Sequence, residues 1–184
     1  ADDVASVASR IAGRTLAPFE VASLVELTGG NPLFVVECAR AFVGAAPRSV
    51  ARRTVRAVVA DRVNLLPEAT RATLHAAAVL GREAAASTIA RMQESLPARV
   101  IDALQSAVDA GIVSEPRPGH FAFTHIIVRD AIEETLSRAV RVELHARAAG
   151  ALDGEGVDVL VERARHALAA GQDHAVTLAS SAAV

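Results

Sequence analysis

Ile112-Val113-Ser114-Glu115-Pro116-Arg117-Pro118-Gly119-His120-Phe121-Ala122-Phe123-Thr124 is the stretch on which the fold turns. Two short β-prone runs, 112–115 and 120–124, flank a Pro/Gly turn and read as a hairpin. It is the one good strand signal in a chain that otherwise leans to helix. About a fifth of the residues are alanine, Trp and Tyr are absent and only five Phe occur, a composition that favours helix by intrinsic propensity.

Upstream of the hairpin lie three helical segments. Pro67 opens one that turns Leu74, Ala78 and Val79 inward and stops at Gly81. A short one follows at about 84–92, and another at 97–110, opened by Pro97 and closed by Gly111. Three helices and then a hairpin is the order of a winged helix. Downstream, Thr124 is placed to cap a helix reaching about Leu136. A helix at 139–152 follows, and segments 157–170 and 174–183 form a helical pair across Gly171-Gln172, like one unit of a helical repeat.

At the N-terminal end, Val4, Val7, Ala8 and Ile11 share one helical face that Gly13 closes. Pro18 opens a second helix carrying Val21, Leu24, Val25 and Leu27, and Gly29-Gly30 stops it. Asn31-Pro32, an N-cap residue with proline behind it, starts a third that runs to about Val43. Residues 44–49, rich in Gly, Ala and Pro, mark a module boundary. Segment 50–65 is then a helix with Val55, Val58, Val59 and Val63 inward and Arg52, Arg53, Arg56 and Arg62 outward.

The composition limits the chemistry. The chain has 184 residues, of which 52% are hydrophobic and 22% charged, enough for one large domain or two small ones. Its 19 basic residues are all arginine, set against 21 acidic ones, for a formal charge of -2. Without lysine the chain cannot complete a P-loop or form a Schiff base. The single Cys38 excludes an internal disulfide, and no Cys/His spacing fits zinc. The start at Ala-Asp-Asp shows no signal-peptide pattern, and charged residues interrupt every apolar run before it reaches membrane-spanning length. These features give the expectation of a soluble, cytoplasmic protein that does not engage a membrane.

Thr28-Gly29-Gly30-Asn31-Pro32-Leu33-Phe34-Val35-Val36-Glu37 is the most specific string. It resembles the Gly-Asn-Pro-Leu-Phe signature that follows the nucleotide-binding core of STAND-class NTPases, above all the large ATP-binding LuxR-type transcriptional regulators of bacteria. Segments 59–69 (an arginine-bearing helix and Leu-Pro turn), 76–83, 110–113, 121–132 and 163–171 are similar to later parts of that family, in the family's order. Glu133, Ala84 and Thr124 depart from it, standing where an aromatic, Phe and Arg are usual.

The resemblance implies a mainly α chain in three parts: a helical lid at 1–46, a winged-helix domain at 47–137 with one β-hairpin at about 112–124, and the start of a helical-repeat region at 138–184. It further implies that the chain is a piece of a larger regulator, without the nucleotide-binding core and without the terminal DNA-binding domain. The intact protein would bind ATP and ADP and act as a slow ATPase switch, whereas this chain alone is expected to be no enzyme and to hold no cofactor. Its partners would be the missing core of the same protein and, in the activated state, further copies of itself.

By the same resemblance Pro32 contacts adenine, Gly30 admits the nucleotide closely, and His125 reaches the β-phosphate of ADP. Each position also has a plainer reading. Pro32 starts a helix, Gly30 ends one, and His125 caps its own helix or pairs with a neighbour. Arg129-Asp130 is either a switch salt bridge across the lid or a solvated helix face. His120 and His125 do not share a helical face and lack a third ligand, so no metal site is expected. No catalytic residue is expected either, because no serine has a His/Asp partner and Cys38 lies among apolar neighbours.

DNA reading has a weak basis. The helix at 97–110 would enter the major groove, yet its polar residues are Arg99, Asp102, Gln105, Ser106 and Asp109, and phosphates repel carboxylates. A free-standing winged-helix DNA-binding regulator that dimerises through its N-terminal helices is the first alternative. A helical adaptor that holds a partner peptide on its C-terminal helices is the second.

Overall fold

The computed structural model of the protein describes residues 2–28, 30–42 and 55–171. It is mainly helical, with a small antiparallel sheet of three strands. The chain divides into two compact units, Ala1–Leu65 and Leu66–Val184. Within the expected segment 50–65, residues 50–54 fall outside the described part, as do the boundary at 44–49 and the helix at 174–183.

The first unit holds α1 (Asp2–Ala12), α2 (Pro18–Thr28), α3 (Pro32–Phe42) and α4 (Val55–Asn64). Ala8, Leu16, Leu24, Val35, Cys38, Ala39 and Val58 form its core. Proline sets the start of α2 and α3, since its missing N–H and fixed φ suit the first helical position. Glu20, three residues into α2, reaches back to accept from the Ala17 N–H at 2.7 Å, one half of a capping box. Arg14 forks onto the same carboxylate at 2.7 and 2.9 Å and holds it below the usual carboxylate range.

α4 packs on α3, and the first unit runs on to Leu65, past the expected 46/47 boundary. Arg62 of α4 was expected to face solvent. It is instead turned inward, with 11% of its side chain exposed, and pairs with the buried carboxylate of Glu37 on α3. An acid buried on the neighbouring helix draws it in, because a buried charge persists only when paired.

The second unit runs α5 (Glu68–Leu80), β1 (Glu83–Ala85), α6 (Ala86–Met92), α7 (Pro97–Asp109), β2 (Val113–Arg117), β3 (His120–Phe123), α8 (Ile126–Glu134), α9 (Arg138–Ala151) and α10 (Val157–Ala169). Sheet order is β1-β3-β2. Helix, strand, two helices and a hairpin whose second strand is central is the topology of a winged helix. Leu74, Ile89, Leu104, Ile112 and Ile132 are wholly buried at its centre.

β1 corrects the sequence reading, which began a helix at Ala84. Ala and Glu are poor strand formers, but Glu83, Ala84 and Ala85 pair with Ala122, Phe121 and His120, and tertiary pairing overrides propensity. Pro116 is tolerated because β2 is an edge strand. Gly119, at φ +71 behind Pro118, takes the left-handed position of the turn, and an added Cβ there would meet nothing within 4 Å. Gly119→Ala is therefore expected to cost about 1 kcal/mol through backbone strain alone. Thermal melting of the variant measures that loss.

Candidate functional site

The three positions singled out from the sequence lie in different units: Gly30 and Pro32 in the first, His125 in the second. In the first unit Thr28 organises the bend between α2 and α3. Its hydroxyl donates to the Leu24 carbonyl at 2.6 Å and accepts from the Gly30 N–H at 3.2 Å, while its carbonyl accepts from the Asn31 N–H at 3.0 Å. Gly30 sits at φ +76, a region that L side chains rarely adopt. Asn31 and Pro32 are exposed at the start of α3. The bend is thus closed by its own hydrogen bonds and leaves the proline ring on the surface.

In the second unit the helix cap shifts by one residue from the sequence expectation. His125, not Thr124, is the N-cap of α8, and its Nδ1 accepts from the Ile127 N–H at 3.2 Å. Thr124 turns the other way and donates to the carbonyls of Gly111 and Ile112, each at 3.2 Å. That bond ties the start of α8 to the end of α7. With Nδ1 accepting, the neutral ring of His125 carries its proton on Nε2, which is then a donor. No other hydrogen bond to this half-buried ring occurs among the described residues.

Arg129, one turn into α8, pairs with Asp130 and also reaches beyond its own helix. Its Nε donates to the Ala78 carbonyl of α5 at 2.7 Å, and its terminal nitrogens meet Asp130 at 2.9 Å and Glu133 at 2.7 Å. Only 18% of the side chain is exposed. Arg165 of α10 reaches the Leu80 carbonyl of α5 at 3.5 Å, and Arg91 of α6 donates to the Ala151 carbonyl of α9 at 2.7 Å. Three guanidinium groups therefore cover carbonyls near helix C-termini, which have no intrahelical partner and carry the negative end of the dipole.

Gly81, Glu83, Thr88, Arg129, Glu162 and Arg165 help to line a groove of about 530 Å³ in this unit. His166 borders it and is wholly buried, with its Nδ1 2.8 Å from the Nδ1 of buried His145. Sequence reasoning passed over this pair. The available signal was a histidine on the alanine face of each of two successive helices, beside Ala148 and Ala149 on one and Ala164 and Ala167 on the other. Among the described residues no group of three or more His, Cys, Asp or Glu is placed to hold a metal ion.

The surface that would read DNA is poor in cations. Arg99, Asp102, Gln105 and Asp109 are exposed along α7 beside the apolar Leu96 and Ile101, and Gln105 is tied to Asp109 at 3.0 Å. In the wing, Arg117 is paired with Glu83, and the Glu115 carboxylate accepts from the Gly119 N–H at 2.6 Å. Between Leu66 and Gly171 there are eleven arginines and fourteen carboxylates. A phosphate backbone would meet no cluster of free cations on this face.

No protein-family model matches the chain, and neither a curated protein nor a solved structure matches it. No described helix is long and apolar enough to cross a membrane.

Proposed function

We propose that this chain is the regulatory arm of a bacterial ATP-dependent regulator of the LuxR type within the STAND class. In this reading the helices around the Gly30–Pro32 bend form a lid over a nucleotide held by a separate core. The winged helix supplies His125, which reaches the β-phosphate of ADP in the closed state. Exchange for ATP releases the arm and exposes surfaces for self-association, so that the chain couples nucleotide state to assembly. The arm performs no catalysis and holds no nucleotide alone, because the phosphate-cradling loop belongs to the core. DNA recognition belongs to a further domain, and the cation-poor face of α7 is consistent with a winged helix used for packing.

The observation that carries this reading is His125 at the N-cap of α8, directly behind the winged-helix sheet, with Nδ1 engaged and Nε2–H available. A donor at a helix N-terminus suits an anionic group.

Two variants separate this role from simple capping, tested in the intact protein that carries the arm behind its core. Asn is as good an N-cap as any residue, so His125→Asn is expected to keep the stability of the fold. It lacks the reach of imidazole, and calorimetric titration is expected to show ADP bound about tenfold more weakly, the loss of one hydrogen bond to a charged group. His125→Ala is expected to lose the same affinity and about 1 kcal/mol of stability as well. ADP affinity unchanged in both variants would leave His125 as a cap alone.

A further inference from the structure

His145 of α9 and His166 of α10 are 6% and 0% exposed, with ring centroids 5.0 Å apart and tilted by 42°. One of the two facing Nδ1 atoms must donate and the other accept. Arg165 settles which, because its guanidinium has only donors and lies 2.9 Å from His166 Nε2. His166 Nε2 therefore accepts, His166 Nδ1–H donates, His145 Nδ1 accepts, and the remaining proton sits on His145 Nε2. The two neutral rings hold two lone pairs, and both are already in use.

We infer that this pair is a proton-operated latch, which holds α10 on α9 while both rings are neutral and releases it when either ring takes up a proton. A proton on His166 Nε2 sets N–H against the N–H of Arg165. A proton on His145 Nδ1 sets N–H against the N–H of His166. Exchanging tautomers only moves the conflict from one contact to the other, so every singly protonated state loses one of the two hydrogen bonds.

The surroundings do not offset this. Arg129 of α8, Arg141 of α9 and Arg165 of α10 act against a proton on the pair, while Glu133 of α8 and Glu162 of α10 favour one. Glu162 Oε2 lies 3.9 Å from His166 Nε2, beyond hydrogen-bond range. Neighbouring elements hold the rest of the contact: α6 through Arg91 on the Ala151 carbonyl, α5 through its Leu80 carbonyl facing Arg165. Burial is the largest cause that pushes both rings below the ordinary histidine value, His166 to about 4. A depressed histidine keeps its full contribution above the unfolded value, near 6.5, and loses it as pH falls from there to the folded value. The latch therefore opens on acidification across that window.

Amide exchange of the full chain, expressed as protection relative to intrinsic rates at each pH, tests this. Between pH 7.5 and pH 4.5, protection in α10 is expected to fall at least about tenfold more in the wild type than in a variant with His145 and His166 both replaced by Leu. If the double variant does not fold, nitrogen shifts of the wild-type rings at neutral pH give a second reading: His166 protonated on Nδ1 and His145 on Nε2. Equal loss of α10 protection in the wild type and the double variant, or rings that titrate freely near pH 6.5, would overturn the latch.

Discussion

Arg62→Ala will destabilise the N-terminal unit by about 3 kcal/mol or more, the cost of breaking a buried ion pair from one side. Its partner Glu37 is 2% exposed and, among the described residues, would keep the longer contact from Arg40, at 3.5 Å. Only 11% of the Arg62 side chain is exposed, and that burial pulls it below the ordinary arginine value. A unit of this size has a stability of only about 3–5 kcal/mol from its core. The variant is therefore expected to lose cooperative folding of α1 to α4 while the winged helix melts as before. Glu37→Met with Arg62→Leu is expected to recover much of the loss, since an apolar pair of similar volume carries no desolvation penalty. Amide exchange in each unit, compared across the three proteins, measures both effects.

Arg129→Ala is expected to cost the winged helix about 2 kcal/mol, and Arg129→Lys to recover little of it. The guanidinium serves three acceptors at once: the Ala78 carbonyl, Asp130 and Glu133. Hydrogen bonds to charged groups are worth about 1.5–3 kcal/mol each before the solvation they replace is regained elsewhere. An ammonium is a point charge and cannot hold the fork. For a unit of roughly a hundred residues the expected fall in melting midpoint is about 10 °C. A lysine variant that melted with the wild type would show that charge alone is needed at this position. The absence of lysine then bears on the fold as well as on the chemistry: the sites at Arg91, Arg129 and Arg165 use guanidinium geometry.

The parts of the fold that were legible in the sequence are those fixed by local chemistry. Pro18, Pro32 and Pro97 start helices, and Gly30, Gly111 and Gly119 take positive φ, by local preference. The hairpin followed from its β-prone runs and its turn. Features set by distant partners were not legible. Glu83-Ala84-Ala85 is a strand because β3 lies beside it, and nothing in those three residues says so. Arg62 and Arg129 look like surface residues until Glu37 and the end of α5 are placed beside them.

The candidate site was legible in the same uneven way. A cap at the start of α8 was foreseen, but Thr124 and His125 compete for it, and the carbonyls of Gly111 and Ile112 take the threonine away. The meeting of His145 and His166 depends on how α9 packs on α10, which the one-dimensional pattern does not contain.

In the proposed arm, exchange of ADP for ATP changes the distance between the two units. Spin labels on Ser6→Cys and Ser87→Cys, exposed positions in the first and second unit, report it directly in the intact protein. Cys38 stays silent, because it is buried and its thiol is pushed up to about 11. One distance distribution with ADP and a distinctly different one with ATP are expected from such a switch. The same distribution with both nucleotides would contradict it.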